Sequence, residues 1–168
     1  MADKAPEGKR KDCGMILALD TATQTGWARI SDDGKLMDSG TFCLRDKPKD
    51  SYGTMFNKLT RFISECDGLY MPNRLTTIAY EQAHFRSGPS TRIGVGCNTV
   101  VLMACDSMQI QPFSVHTASL KKWATGNGRA SKDDMMAWAG QHCDIIDDNH
   151  ADAIAVGMYA YEKLQEGA

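Results

Sequence analysis

Several features that mark common protein classes are missing from this sequence of 168 residues. No stretch approaches the roughly 20 uninterrupted apolar residues that a membrane-spanning helix needs, so we expect no membrane segment. The first thirteen residues, MADKAPEGKRKDC, lack the apolar core of a signal peptide, and a cytoplasmic location is the expectation. The six cysteines form no CxxC pair and no nearby CxxH, which argues against a zinc knuckle or a redox motif.

An excess of positive charge is missing as well. The 19 lysines and arginines are outweighed by 21 aspartates and glutamates, giving a formal net charge of -2, so overall charge alone would not hold a nucleic acid. The local distribution is different, because residues 115–132 contain no acid and four bases: Lys121, Lys122, Arg129 and Lys132. Positive charge is therefore concentrated just ahead of an acidic segment at 133–152.

The chain length and the spacing of its apolar residues predict one α/β domain. We expect a disordered basic leader at residues 1–13 and a single domain over residues 14–168. Strands are predicted at 15–20, 27–30, 36–44, 75–81 and 110–115, with a turn at 23–26, and helices at 52–69, 91–108, 118–124, 132–142 and 149–164. The Asp33-Gly34 turn and the strand-helix-strand unit imply a mixed sheet of about five strands, the first three antiparallel and the others parallel, flanked by helices.

Acidic residues close two of the predicted buried strands. Asp20 ends the run MILALD, and Glu81 ends the run LTTIAYE. Parallel neighbours bring their carboxyl ends to one edge of the sheet, which is where open α/β folds place their sites. Two carboxylates held close together repel each other unless a cation lies between them, and magnesium or manganese prefers such oxygen ligands.

A third acidic group begins the last predicted helix. Asp152 lies in its first turn, and Asp148 and Asn149 precede it by four and three residues, so all three can face the same side. Taken alone, this segment is also explained by helix capping, with Asn149 as the N-cap and Asp152 favoured by the helix dipole. Two strand-end acids and one helix-start acid together form the constellation of a ribonuclease H-like two-metal nuclease.

Four sequence blocks narrow this resemblance. LDTATQTGWA at 19–28, IAYEQAHF at 78–85, LKKWATGNGRASKDDMMAW at 120–138 and NHADAIAV at 149–156 resemble the successive blocks of the RuvC-type Holliday-junction resolvases. They occur in the family's order and cover residues 15 to about 162. The chain departs from the family after Asp20, where Thr21 and Ala22 replace the usual proline-glycine pair.

The resemblance implies a ribonuclease H-like fold and the activity of a crossover junction endodeoxyribonuclease. Such an enzyme resolves Holliday junctions or branched DNA by paired symmetric nicks, using two Mg²⁺ ions per site for which Mn²⁺ can substitute. Asp20, Glu81 and Asp152 would be metal ligands. The fourth ligand is open among Asp148, Asn149 and His150, and we favour Asp148 because an oxygen ligand suits magnesium better than imidazole does.

The resemblance also implies a DNA partner and a homodimer built on the helix at 92–108, in the nucleoid or, for a phage gene, in the host cytoplasm. The candidate DNA-binding residues are Phe85, Arg86, Lys121, Lys122, Arg129 and Lys132. Phe85 would stack on an unpaired base, and the GNGRASK turn would offer backbone N–H groups to a phosphate. The alternatives are that Phe85 is a packing residue and that Lys121 and Lys122 form a solvated helix face. The competing functions are a non-catalytic junction-binding protein and a nuclease that acts on other branched DNA or on RNA–DNA hybrids.

Overall fold

The computed structural model describes residues 14–68, 74–83 and 88–167, which form five strands and five helices. The strands are β1 (Met15–Asp20), β2 (Gln24–Ile30), β3 (Leu36–Cys43), β4 (Leu75–Glu81) and β5 (Gln111–Val115). The helices are α1 (Tyr52–Gly68), α2 (Pro89–Met108), α3 (Thr117–Thr125), α4 (Lys132–Ala139) and α5 (Asp148–Glu166). Among these helices none has the length and hydropathy needed to cross a membrane. The predicted leader at 1–13, Phe85 and Arg86 lie outside the described residues.

All five strands belong to one mixed sheet with the order β3-β2-β1-β4-β5. β1 pairs with β2 and β2 with β3 in antiparallel fashion, whereas β4 runs parallel to both β1 and β5. The predicted fold class is therefore confirmed. The strand-helix-strand unit through α1 places β4 beside β1, because a crossover helix returns the chain in the same direction.

Helices cover both faces of this sheet. Successive side chains along β1 point alternately to one face and to the other. Met15, Leu17 and Leu19 are buried in the core that α1 and α2 complete. Ile16 and Ala18 are buried on the opposite face, in the core shared with α5. Small side chains on that second face leave room for α5 to lie close against β1 and β2.

Two predicted boundaries near the acidic residues differ from the observed ones. The predicted turn at 23–26 is misplaced: the turn lies at 21–23, because β2 already begins at Gln24 and Gly26 pairs with Asp20. The last helix begins earlier than predicted: Asp147, and not Asn149, is its N-cap, and its side chain accepts a hydrogen bond from the His150 N–H at 2.8 Å. Aspartate and asparagine are equally good N-caps, so local preference alone does not choose between them.

Candidate active site

The two strand-end acids lie at the same edge of the sheet, as the parallel pairing requires. Leu19 pairs with Tyr80 in the β1–β4 ladder, so Asp20 and Glu81 are the next residues along two adjacent strands. Both line a pocket of about 370 Å³, together with residues from the beginnings of α2 and α3, among them Thr91 and Thr117. The pocket is thus open at the carboxyl ends of β1 and β4.

Asp152 reaches the same site because α5 begins close against β2. Gly26 lies directly opposite Asp20 in the β1–β2 ladder. A methyl group at Gly26 would overlap the backbone carbonyl of Asn149 and come within 3.0 Å of the His150 nitrogen. Only a residue without a side chain allows this approach, so Gly26 fixes how near the first turns of α5 lie to β1. The sequence offered a signal for this role, since a glycine in a strand often marks a close backbone approach.

The pKa shifts of Asp20 and Asp152 indicate that these two carboxylates and Glu81 lie near one another. Burial raises the pKa of Asp20 well above its ordinary value, and the charges of Glu81 and Asp152 raise it further. Burial also raises the pKa of Asp152 to about 7, with Glu81 the next largest cause. Oδ1 of Asp152 is buried and has no hydrogen-bond partner among the described residues. The prediction that Asn149 caps this helix with Asp152 in its first turn is wrong, because Asp147 is the N-cap and Asp148 is the acidic residue of the first turn, so capping does not account for Asp152.

The donor set fits a hard divalent cation. Three carboxylates supply oxygen ligands, and an unpartnered buried oxygen on Asp152 is the kind of atom that a cation would satisfy. Within the described ranges, no group of three or more His, Cys, Asp or Glu side chains is already arranged to hold a metal ion. A cation bound there would offset the repulsion that the neighbouring carboxylates exert on Asp20.

Asp148, the favoured fourth ligand, is engaged by a lysine. Lys132 at the start of α4 donates a hydrogen bond from Nζ to Oδ2 of Asp148 and forms an ion pair with it. This hydrogen bond is the main reason that the pKa of Asp148 is lowered. The Asp148 carboxylate is therefore charged and close enough to Asp20 and Asp152 to raise the pKa of both.

His150 lies inside the acidic segment, but both of its ring nitrogens are occupied. The ring is buried, and Nδ1 accepts a hydrogen bond from the Ile146 N–H at 3.1 Å. The proton is therefore on Nε2, which donates to Oγ of Ser39 at 2.8 Å. Burial lowers the pKa of the imidazole, in keeping with a neutral ring. Coordination of a metal through either nitrogen would replace the hydrogen bond made at that atom, which disfavours His150 relative to Asp148 as a ligand.

The basic residues predicted to bind DNA divide into two groups. Lys121 donates from Nζ to the Ala130 carbonyl at 2.8 Å, and its charge acts to lower the pKa of Asp152. Lys132 pairs with Asp148, so these two lysines stand beside the carboxylates. Lys122 and Arg129 are exposed. Lys132 is also exposed, so what separates the two pairs is the position of Lys121 and Lys132 beside the carboxylates.

The turn after α3 offers fewer backbone N–H groups to a phosphate than its glycines suggest. Five of the seven N–H groups of residues 126–132 donate hydrogen bonds within the protein, namely those of Gly126, Asn127, Arg129, Ala130 and Ser131. The side chains of Asn127 and Asp134 accept two of these bonds, from Arg129 and Ser131. A phosphate at this turn would therefore be met by side chains such as Arg129.

We predict that the metal-free protein loses the stability contribution of Asp152 as the pH rises. The pKa of this carboxyl is about 7 in the fold against an ordinary value of 3.8, so between these values the folded state binds more protons than the unfolded chain. The contribution is fully present below the unfolded pKa and disappears as the pH passes the folded pKa. Thermal melting from pH 4 to pH 8 in EDTA, compared between the wild type and Asp152→Asn, measures it. The gap in Tm should widen in favour of the variant with rising pH, and a constant gap would contradict the shifted pKa.

The sheet order, the helices on both faces and the carboxylates at the ends of β1 and β4 and near the start of α5 define a ribonuclease H-like domain. No protein-family model matches the chain. Among curated proteins, it is 25% identical over 154 residues to the crossover junction endodeoxyribonuclease RuvC of Ehrlichia canis, covering 88% of this chain and 97% of that protein. It is 29% identical over 160 residues to RuvC of Wolbachia sp. subsp. Drosophila simulans, covering 88% of this chain and 94% of that protein.

Solved structures agree with these sequence relatives. The fold matches the Thermus thermophilus RuvC structure with a TM-score of 0.73 at 15% identity, covering 90% of this chain and 96% of that one. It matches T. thermophilus RuvC in complex with a Holliday junction substrate with a TM-score of 0.70 at 15% identity, covering 89% and 96%. The chain is thus similar to the RuvC-type Holliday-junction resolvases over most of its length, and the resemblance predicted from its sequence blocks is confirmed.

Proposed function

We propose that this protein is a structure-selective DNA endonuclease that resolves Holliday junctions or other branched DNA by paired symmetric nicks. The observation that carries the proposal is the group of carboxylates Asp20, Glu81 and Asp152, in which burial and neighbouring negative charge raise the pKa of both aspartates, in a chain similar over 88% of its length to a crossover junction endodeoxyribonuclease. The solved structure of T. thermophilus RuvC in complex with a Holliday junction substrate, whose fold this chain matches, supports branched DNA as the ligand. Action on such DNA implies that the protein is located at the nucleoid or, if a phage encodes it, in the host cytoplasm.

The proposed cofactor is Mg²⁺, two ions per site, with Mn²⁺ as a substitute. Asp20, Glu81 and Asp152 would hold the ions, and Asp148 would complete the set. When bound, the ions supply an activated water and charge stabilisation during hydrolysis of the phosphodiester. The carboxylates themselves act as ligands, so the reaction needs no serine, cysteine or histidine nucleophile.

The basic residues around the site have separate proposed tasks. Lys121 is held by the Ala130 carbonyl beside Asp152, where its charge would attract the phosphate that is to be cut. Lys132 keeps Asp148 ionised through their ion pair. The exposed Lys122 and Arg129 are proposed to bind neighbouring phosphates, which fixes the position of the DNA without reading its sequence. Phe85 and Arg86 remain predicted junction contacts.

A cleavage assay on an immobile four-way junction with Mg²⁺, run beside linear duplex of the same sequence, tests the function. We expect nicks on two opposed strands of the junction and an intact duplex. Junction binding without cleavage at any Mg²⁺ or Mn²⁺ concentration would instead identify a non-catalytic binding protein. Faster cleavage of replication forks or RNA–DNA hybrids in the same panel would identify a nuclease with a different substrate.

A homodimer is part of the proposal, because a junction has approximate two-fold symmetry and must be cut on two strands. The face formed by α1 and α2 supports it. A mainly apolar groove of about 630 Å³ runs between these helices and is lined by residues such as Phe56, Val100 and Met108. Met103 of α2, which lines the groove, is 66% exposed, and its neighbour Leu102 is 45% exposed. Exposed apolar side chains next to such a groove are typical of a protein interface.

We predict that Met103→Glu converts the dimer to a monomer. The glutamate would place a charge in the apolar contact, whereas the folded monomer would tolerate it because Met103 is exposed. Analytical ultracentrifugation measures the state, and Met37→Glu is the matched control, since Met37 is 53% exposed but lies on β3. A Met103→Glu protein that stays dimeric, or a Met37→Glu protein that dissociates, would move the interface away from α2.

A further inference from the structure

The first turn of α3 contacts the carboxylate at the end of β4. Thr117, the first residue of α3, donates a hydrogen bond from Oγ1 to Oε1 of Glu81. The backbone around both partners is fixed, because Glu81 pairs with Val115 in the β4–β5 ladder. The Val115 carbonyl also accepts a hydrogen bond from the Gln82 N–H at 2.8 Å. The hydroxyl and the carboxylate are therefore brought together by the sheet.

The helix cap further restricts the position of Thr117. Nδ1 of His116, the N-cap of α3, accepts a hydrogen bond from the Ala118 N–H at 3.3 Å, so the residues on either side of Thr117 are tied to each other. The His116 carbonyl accepts a hydrogen bond from the Leu120 N–H at 3.0 Å. Threonine is branched at Cβ and has few χ1 rotamers. Its hydroxyl is thus held toward the pocket that Thr117, Asp20 and Glu81 line together.

Glu81 needs such a support more than the aspartates of the site do. A glutamate has one more rotatable bond than an aspartate and loses more rotamer freedom when its carboxylate is fixed. Asp20 and Asp152 are held on short side chains in a setting whose burial raises the pKa of each. A hydrogen bond to one oxygen of Glu81 restricts the direction in which its other oxygen points.

We propose that Thr117 is a positioning residue, which holds the Glu81 carboxylate in the orientation in which it binds the divalent cation. The inference rests on the proposed function, since it assigns Glu81 the part of a ligand. Partners that hydrogen-bond to metal-ligating carboxylates typically contribute about 10–100-fold in metal affinity or activity. Thr117 therefore affects the reaction through Glu81, without contact with the DNA.

Two substitutions separate this role from a structural one. Thr117→Val keeps the branched shape and removes the hydroxyl, whereas Thr117→Ser keeps the hydroxyl and removes a methyl group. The first readout is Mn²⁺ binding to the DNA-free protein by titration calorimetry, and the second is the Mg²⁺ concentration that gives half-maximal junction cleavage. We expect Thr117→Val to weaken metal binding and to raise that concentration by about tenfold or more. Thr117→Ser should stay close to the wild type, and Tm and metal-free junction affinity should change little in either variant.

The outcomes distinguish failure of this inference from failure of the proposed function. A wild type that cleaves no branched DNA counts against the function, while the Mn²⁺ titration still compares Thr117→Val with the wild type. Equal Mn²⁺ affinity in those two proteins overturns the role of Thr117, whether or not the enzyme cleaves. Equal losses in Thr117→Ser and Thr117→Val, accompanied by a lower Tm in both, also overturn it, because they indicate a packing role.

Discussion

Asp152→Asn is expected to abolish nicking of a four-way junction while the variant still binds the junction. Asparagine has the shape of aspartate but lacks the charge that holds a cation. Loss of a residue that only supports a ligand costs about 10–100-fold, so removal of the ligand itself should cost more than about 100-fold in cleavage rate. Single-turnover cleavage with Mg²⁺ measures the rate, and an electrophoretic shift in EDTA measures binding.

The same substitution should stabilise the metal-free protein. Burial and the charge of Glu81 raise the pKa of Asp152 to about 7, so near neutral pH its ionised form is costly in the fold. A neutral amide removes that cost, and Tm in EDTA at pH 8 should rise. A substitution that raises stability and abolishes activity identifies a residue kept for function.

Matched variants control this prediction. Asp20→Asn and Glu81→Gln should lose cleavage as Asp152→Asn does, because all three acids are proposed ligands. Asp144→Asn removes an exposed aspartate from the same acidic segment and should leave both cleavage and Tm near the wild-type values. Cleavage by Asp152→Asn at the wild-type rate would remove Asp152 from the site.

Gly26→Ala is expected to lower both the free energy of unfolding and the cleavage rate. The new methyl group would overlap the Asn149 carbonyl, which is backbone and cannot rotate away as a side chain could. α5 would have to move off β2 and would carry Asp152 away from Asp20. Overpacking of this kind typically costs about 1–3 kcal/mol, and contact with backbone puts the cost at the upper end. Urea denaturation and the junction cleavage assay measure the two effects.

Gly53→Ala is the control for that substitution. Gly53 is exposed in the first turn of α1, and the nearest atom to an added methyl group is Oγ of Ser51 at 3.6 Å. Replacing a helical glycine by alanine typically stabilises by about 0.5–1 kcal/mol, so this variant should be at least as stable as the wild type. Because Gly53 lines the groove proposed as the dimer contact, Gly53→Ala is the control for the free energy of unfolding and not for cleavage. If Gly26→Ala has the stability and the cleavage rate of the wild type, the position of α5 does not depend on this close approach.

The acidic site was partly predictable because two of its members follow from local patterns. Asp20 and Glu81 each end a short apolar run, and the helix between those runs implies parallel strands, so their meeting at one edge could be deduced. The N-cap of α5 could not be deduced, because Asp147, Asp148 and Asn149 are all good caps. The partners of His150 were also beyond the sequence, since Ser39 lies on β3, far away in the chain.

The turn at 126–132 shows a different limit. Its glycines and bases are typical of a phosphate-binding loop, but the pattern does not say where its N–H groups go. The side chains of Asn127 and Asp134 accept one each in the fold, from Arg129 and Ser131. Local composition therefore predicted the charge at this turn, but it could not predict which of the backbone donors are used within the protein.

The sequence by itself determined the order of the elements, the pairing of β1 with β4 and the edge that carries Asp20 and Glu81, because hydrophobic periodicity and strand-end position act over short distances. Only the tertiary structure decided that Asp152 lies near enough to Glu81 for that charge to raise its pKa, that Lys132 pairs with Asp148 and that Thr117 donates a hydrogen bond to Glu81. Those contacts depend on how closely α5, α4 and α3 approach the sheet. Packing between elements distant in the chain sets that approach, and at Gly26 it depends on the absence of a side chain.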